Sequence, residues 1–149
     1  MEKRILRRTV RDVMSGAPIT VRASTSVSEL NELFEVHDVN AFPVVDNYGR
    51  LAGIVSKLDL LRLFRPGRDR APSETRRGNR VEDIMSPRVI TVDAEDSVAT
   101  AVDRMLEHGL RSLPVVDKAN GESTLVGMVS RSDLLCCLCL AASREPAGA

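Results

Sequence analysis

Two serine–aspartate pairs, each with three-residue spacing, are the most informative chemical pattern in this chain. They are Ser56–Asp59 and Ser130–Asp133. A serine with an acidic residue three positions later is a helix-capping motif. The free backbone N–H groups and the dipole of a helix start also favour an anion such as phosphate. The pairs are therefore explained by capping alone, or by capping together with anion binding.

Metal-binding residue types are present but poorly grouped. Cys136, Cys137 and Cys139 have no fourth ligand beside them, and His37 and His108 are single residues that suit helix ends. The cysteines fall in an apolar helical pattern, where free Cys packs as a small hydrophobe. We therefore expect no metal site and place the cysteines in a core or a dimer interface, with lipid attachment or a redox role left open.

Composition narrows the class of protein further. The 149 residues contain 21 basic and 21 acidic side chains and no Trp. This balance, with few and scattered aromatics, is not typical of a nucleic-acid-binding protein. The sequence has neither an apolar run long enough for a membrane span nor a secretory signal at its start. The odd cysteine count suits a reducing compartment, and we expect a cytoplasmic location, including the cytoplasmic part of a membrane protein.

Enzyme signatures are missing from the sequence. It contains no phosphate-binding Gly-x4-Gly-Lys loop, no nucleophile elbow and no His-rich metal set. We therefore expect no catalytic activity and no catalytic cofactor.

An internal repeat organises the chain. A shift of 71 residues places Val10 on Val81, and a three-residue insertion later in the second copy extends the match. So many matches in one order indicate two copies of one structural unit. The matched segments are 10–15 with 81–86, 19–21 with 90–92, 43–46 with 114–117, and 53–61 with 127–135.

Each copy predicts the order strand, helix, strand, strand, helix. Short β-rich runs open the copies at 19–21 and 90–92, and a Ser–Glu capping box at Ser26 and Glu29 begins the first helix. Apolar residues at helical spacing follow in both copies. The later strands are expected at 42–45 and 51–55, and at 113–116 and 125–129, with closing helices starting at Ser56 and Ser130. Residues 65–80, rich in Arg, Pro and Gly, predict a solvated linker.

The doubled motifs resemble those of a tandem CBS domain pair, the Bateman module. They are Asp-hydrophobic-Met-Ser, Ile-Thr-Val, hydrophobic-Pro-Val-Val-Asp and Gly-x-hydrophobic-Ser-x-x-Asp, and they cover roughly residues 9–140. The resemblance implies an α/β (α+β) fold of two βαββα units packed sheet to sheet with pseudo-twofold symmetry. We place the first CBS domain at 9–64, the second at 81–140 and a tail at 141–149.

The resemblance also implies a function. Clefts between the two units are expected to bind AMP, ADP, ATP or a related adenosyl compound as a regulatory ligand, and pairs of this family commonly form homodimers. Such modules report metabolite state to an effector enzyme or membrane protein, so this chain is either a stand-alone sensor or a piece of a larger protein. The alternatives are a ligand-free dimerisation module and, less in keeping with the charge balance, a nucleic-acid binder using the Arg-rich linker.

Individual site residues follow from the same resemblance. Asp59 and Asp133 are expected to accept hydrogen bonds from ribose hydroxyls, for which a carboxylate has two oxygens. Arg111 stands where relatives place a phosphate-binding basic residue, whereas Asn40 takes that place in the first copy, so we expect unequal clefts. The helix-start residues expected near phosphate are Ser56, Lys57, Ser130 and Arg131, and those expected to line the adenine pockets are Thr20, Val21, Ala41, Phe42, Thr91, Val92, Ser112 and Leu113.

Overall fold

The computed structural model describes residues 2–64 and 79–142, in two compact units. The first unit comprises Ile19–Val89, and the second combines Met1–Pro18 with Ile90–Ala149. Most of the predicted linker and most of the predicted tail therefore lie outside the described residues. The domain boundaries inferred from the repeat remain a prediction.

The longer helices and the later strands of both copies lie in the order expected from the repeat, but the run 19–21 forms no strand, and short helices are added near the start of each copy. The elements are α1 (Glu2–Ile5), α2 (Val10–Val13), β1 (Ser15–Gly16), α3 (Val27–Val36), β2 (Ala41–Val45), β3 (Leu51–Ser56), α4 (Lys57–Leu63), α5 (Val81–Ile84), β4 (Val92–Asp93), α6 (Val98–His108), β5 (Ser112–Asp117), a 3-10 turn (Ala119–Gly121), β6 (Thr124–Ser130) and α7 (Arg131–Ala142).

The first unit is built on the antiparallel hairpin β2–β3. Phe42 pairs with Val55, and the turn between the strands uses Gly49 at φ 77°, a value that favours glycine. The Asp46 carboxylate accepts the backbone N–H groups of Tyr48 and Arg50 in that turn. Desolvation raises the pKa of Asp46, but these N–H groups and the Arg50 guanidinium outweigh it, so its pKa lies below the ordinary value. The buried core is Val21, Leu30, Phe34, Phe42, Val44, Val55, Leu60 and Val81.

The second unit contains a four-stranded sheet in the order β1-β6-β5-β4. β5 and β6 are antiparallel, β4 runs parallel to β5, and β1 adds an antiparallel edge in which Ser15 pairs with Met128. α6 buries Val98, Ala101 and Met105, as its helical spacing predicted. The buried core is Val10, Val92, Ala94, Val98, Ala101, Met105, Leu113, Val115, Val129 and Leu134.

The opening strands are shorter than predicted. Of the run 19–21 only Val21 is bridged to a strand, through its N–H to the Pro43 carbonyl and its carbonyl to the Val45 N–H. The next parallel bond would require an N–H from Pro43, which proline lacks. Pro114 takes the same place in the second repeat, just before Val115, which pairs with Val92, and there the strand is Val92–Asp93. The proline of each repeat thus ends the parallel ladder early.

Each Asp-hydrophobic-Met-Ser motif packs against a glycine of the other repeat. A Cβ on Gly53 would lie 2.8 Å from the Ser86 carbonyl oxygen and 2.9 Å from Met85 Sδ. A Cβ on Gly127 would lie 2.8 Å from the Ser15 carbonyl oxygen and 2.6 Å from Met14 Sδ. Glycine is therefore required at both positions, because a backbone atom fills the space that a side chain would need.

Candidate functional site

In the second repeat, Ser130 and Asp133 form the predicted cap at the start of α7. The Ser130 N–H donates to Asp133 Oδ2 at 2.8 Å, and the Asp133 N–H donates to Ser130 Oγ at 3.1 Å. Among the described residues, Asp133 Oδ1 accepts no hydrogen bond, and the Ser130 hydroxyl donates none. The capping explanation is thus confirmed in structure, and it leaves one carboxylate oxygen and one hydroxyl proton for other partners.

The first repeat has the same cap, but more of its polar atoms already make hydrogen bonds. Asp59 Oδ2 accepts both the N–H and the hydroxyl of Ser56, at 2.8 and 3.0 Å. Asp59 Oδ1 accepts from the Arg62 guanidinium at 3.2 Å. Sequence reasoning missed Arg62, although its i,i+3 spacing from Asp59 on a predicted helix was a usable signal. Every hydrogen-bonding oxygen of the first Ser–Asp pair therefore already has a partner within the unit.

In both repeats a backbone hydrogen bond joins the first residue of the closing helix to the residue just before β2 or β5. The Arg131 N–H donates to the Arg111 carbonyl, and the Lys57 N–H donates to the Asn40 carbonyl, both at 3.0 Å. These bonds place position 40 or 111 beside the capped helix start. The structure therefore brings Arg111, Ser130, Arg131 and Asp133 together in one unit, with Asn40, Ser56, Lys57 and Asp59 together in the other.

The basic side chains at these positions differ in how they are engaged. Arg131 Nε donates to the Leu110 carbonyl at 2.7 Å, and Lys57 Nζ lies 5.9 Å from the centre of the Phe34 ring. The Arg111 side chain is exposed and makes no hydrogen bond or ion pair with a described residue. Arg111 therefore has its full set of donors available for an anion.

The predicted adenine-pocket residues divide by burial. Ala41 and Phe42 lie on β2, Ser112 and Leu113 on β5, and Val92 on β4, as expected. Val21 forms only an isolated bridge, and Thr20 and Thr91 lie outside the strands. A ligand-lining role remains a prediction for all of them. The apolar members pack in the two cores, as core packing alone also predicts. Val21, Phe42, Val92 and Leu113 are buried, Ala41, Thr91 and Ser112 are half-buried, and Thr20 is exposed.

The cysteines lie on different faces of α7. Cys137 is buried, with its Sγ 3.9 Å from Arg8 Nη1, whereas Cys136 and Cys139 are exposed. The expectation of core packing is thus confirmed for Cys137, and for the other two an interface position stays a prediction. Within residues 2–64 and 79–142, no three His, Cys, Asp or Glu side chains are grouped as metal ligands.

An apolar groove of about 320 Å³ lies between α6 and α7 of the second unit. It is lined by Val102, Met105 and Leu134, and also by Leu106 and Leu135, which are largely exposed. None of the helices in the described part of the chain has the length and apolar character needed to cross a bilayer.

Solved structures and curated proteins resemble this chain over most of its length. It is 34% identical to CBSX2 crystallised with AMP, with a TM-score of 0.78 over 91% of this chain and 98% of that one. It is 25% identical to the CBS domain pair of protein MJ0100, crystallised with 5′-methylthioadenosine and S-adenosyl-L-methionine, with a TM-score of 0.71 over 93% and 98% of the two chains.

A larger enzyme also contains a similar segment. The homoserine O-acetyltransferase of Methanocorpusculum labreanum is 32% identical over 126 residues, which are 85% of this chain but 23% of that protein. The family model for the CBS domain matches residues 10–66 and again residues 81–139. The predicted α/β fold class is confirmed, and the chain belongs to the CBS domain family as a tandem pair.

Proposed function

We propose that this CBS pair is a regulatory module that binds an adenosyl compound and catalyses no reaction. The observation that carries the proposal is Asp133, whose Oδ2 is fixed by the helix cap while Oδ1 has no hydrogen bond among the described residues. A carboxylate held in this way is an oriented acceptor for a ribose hydroxyl. AMP in CBSX2, and 5′-methylthioadenosine and S-adenosyl-L-methionine in the MJ0100 pair, all carry a ribose.

Within that class we favour a phosphorylated nucleotide (AMP, ADP or ATP) at the second repeat. Arg111 has an exposed guanidinium whose N–H groups make no hydrogen bond with a described residue, and guanidinium binds phosphate bidentately. The Ser130 hydroxyl adds a donor at the start of α7, where the helix dipole favours negative charge. The first repeat offers the neutral Asn40 instead, and its Ser56 hydroxyl is already donated to Asp59.

A panel of ligands measured by thermal unfolding and calorimetry tests this function. The panel is AMP, ADP, ATP, adenosine, 5′-methylthioadenosine and S-adenosyl-L-methionine. A ligand at 100 times its dissociation constant stabilises a fold by about 2.7 kcal/mol. For a chain of this size that corresponds to a rise in Tm of roughly 5–10 °C. If no adenosyl compound raises the Tm, the module is ligand-free and its role is structural.

The second candidate function is dimerisation, and it is compatible with the first. α4 exposes Leu58 and Leu61, Phe64 follows it exposed, and Leu135 of α7 is exposed beside the α6–α7 groove. Exposed apolar side chains in such number mark an interface, and a second copy of the chain is the occupant we propose. Light scattering at micromolar concentration should report twice the 16.3 kDa mass of the chain. A mass near that of one chain contradicts the homodimer.

The regulated partner is proposed from the relatives. A CBS segment occurs inside the much longer homoserine O-acetyltransferase, so the same module works there as part of an enzyme. We propose that this chain passes its ligand state to an enzyme or a membrane protein in the cytoplasm, and that it does not bind nucleic acid.

A further inference from the structure

Two exposed thiols on α7 are not used by the proposed nucleotide contacts. Cys136 and Cys139 are both exposed and three residues apart on a twelve-residue helix, so they are neighbours on one face. Cys137 between them is buried and contacts Arg8. The two exposed thiols therefore form a pair from which the third cysteine is excluded.

The helical spacing decides what this pair can do. Residues at i and i+3 of a helix have Cβ atoms about 5–6 Å apart. A disulfide requires Cβ atoms at roughly 3.5–4.5 Å, so it would strain or unwind α7. Two metal–sulfur bonds of about 2.3 Å each span the larger gap without moving the backbone. The geometry therefore favours a shared metal ion over a disulfide.

The number of ligands selects the kind of ion. Thiolates prefer soft cations such as Cu(I) and Zn(II). Zinc is almost always four-coordinate in structural sites, and no third metal-binding side chain accompanies the pair within the described residues. Cu(I) is satisfied by two thiolates. We propose that Cys136 and Cys139 form a two-thiolate binding site for Cu(I).

The binding step is a proton-for-metal exchange. Each thiol loses one proton to solvent and forms one sulfur–copper bond, and copper stays in the Cu(I) state throughout. Two thiolates and one Cu(I) carry a net charge of −1.

Competition for copper tests the site in the reduced protein. The chain is titrated without oxygen against the Cu(I) complex of bicinchoninate, with the chelator's absorbance as readout. The wild-type protein should withdraw one Cu(I) per chain, and Cys136→Ser and Cys139→Ser should each lose this competition. Cys137→Ala is the matched control and should compete like the wild type. Circular dichroism should show that helix content is retained when copper binds.

Three results overturn the proposal. One is a wild-type protein that withdraws no copper from the chelator. Another is loss of competition in Cys137→Ala with its helix content retained, because the buried thiol would then be a ligand. The third is a ratio of one Cu(I) per two chains, which would assign the ion to thiols of two different copies.

Discussion

The two repeats share their backbone scaffold and differ in the polar atoms that remain without partners. Both have a Ser–Asp cap and the same bond from helix start to strand entry. In the first repeat the Arg62 guanidinium and the Ser56 hydroxyl donate hydrogen bonds to the Asp59 carboxylate. In the second repeat the residue aligned with Arg62 is Cys136. A few side chains, rather than the fold, thus distinguish the two candidate sites.

The occupation of Asp59 is a weak barrier in itself. The Arg62 side chain is 65% exposed in its ion pair with Asp59, and exposed pairs contribute only about 0–1 kcal/mol. A ligand can displace Arg62 at that cost. The larger difference between the repeats is therefore the positive charge of Arg111, where the first repeat has the neutral Asn40. The Ser130 hydroxyl, which donates no hydrogen bond to a described residue, adds to this difference.

The aspartates give the largest expected difference between repeats. Asp133→Ala removes an acceptor for ribose, and charged hydrogen bonds contribute about 1.5–3 kcal/mol each. Affinity for AMP should therefore fall roughly a hundredfold in calorimetry. Asp59→Ala is the matched control because it removes the same kind of cap, worth about 0.5–2 kcal/mol of stability.

Both alanine variants should lower the Tm, but only Asp133→Ala should weaken AMP binding strongly. Equal losses of affinity would show that the repeats bind alike. Wild-type affinity in Asp133→Ala would leave that aspartate with its capping role alone.

Arg111 should produce a smaller difference that depends on the ligand. Arg111→Ala should weaken AMP binding about tenfold, the low end for a charged hydrogen bond because the guanidinium is exposed, and should leave adenosine binding unchanged. Asn40→Arg should strengthen AMP binding at the first repeat. Calorimetry with both ligands separates the effects, and an equal loss for adenosine would rule out phosphate as the partner of Arg111.

The sequence predicted the repeated elements and the caps because both depend on local patterns. The helix stripe of Leu30 and Phe34 and the Ser–Asp spacing are short-range signals, and the structure confirms them. Tertiary features were harder to predict. The truncation of the opening strands depends on which residue lies opposite Pro43, and the exposure of Cys136 depends on how α7 packs.

The sequence also could not predict which polar side-chain atoms would be left without a hydrogen bond. Asn40 and Arg111 could be compared directly in the aligned repeats, and the unequal clefts that this comparison indicates stay a prediction. That Arg131 is held by the Leu110 carbonyl while Arg111 makes no such bond requires three-dimensional contacts between distant residues.

The glycines provide the comparison in which the repeats should not differ. Gly53→Ala and Gly127→Ala each drive a Cβ to 2.8 Å from a backbone oxygen, of Ser86 or Ser15, which cannot move away as a flexible side chain can. Overpacking of this kind costs about 1–3 kcal/mol, so each variant should lower the Tm by several degrees.

Gly16→Ala is the matched control for both glycine variants, since a Cβ at Gly16 meets no atom within 4 Å. Its free energy of unfolding should stay level or rise by about 0.4–1 kcal/mol, because alanine restricts the unfolded chain. Thermal unfolding without ligand measures all three variants. Similar losses at Gly53 and Gly127 would show that the scaffold is equivalent in the two repeats, so that any difference in ligand affinity originates in side chains. A loss confined to one glycine would mean that one Met-Ser segment yields more easily, and the repeats would then differ in backbone packing as well as in chemistry.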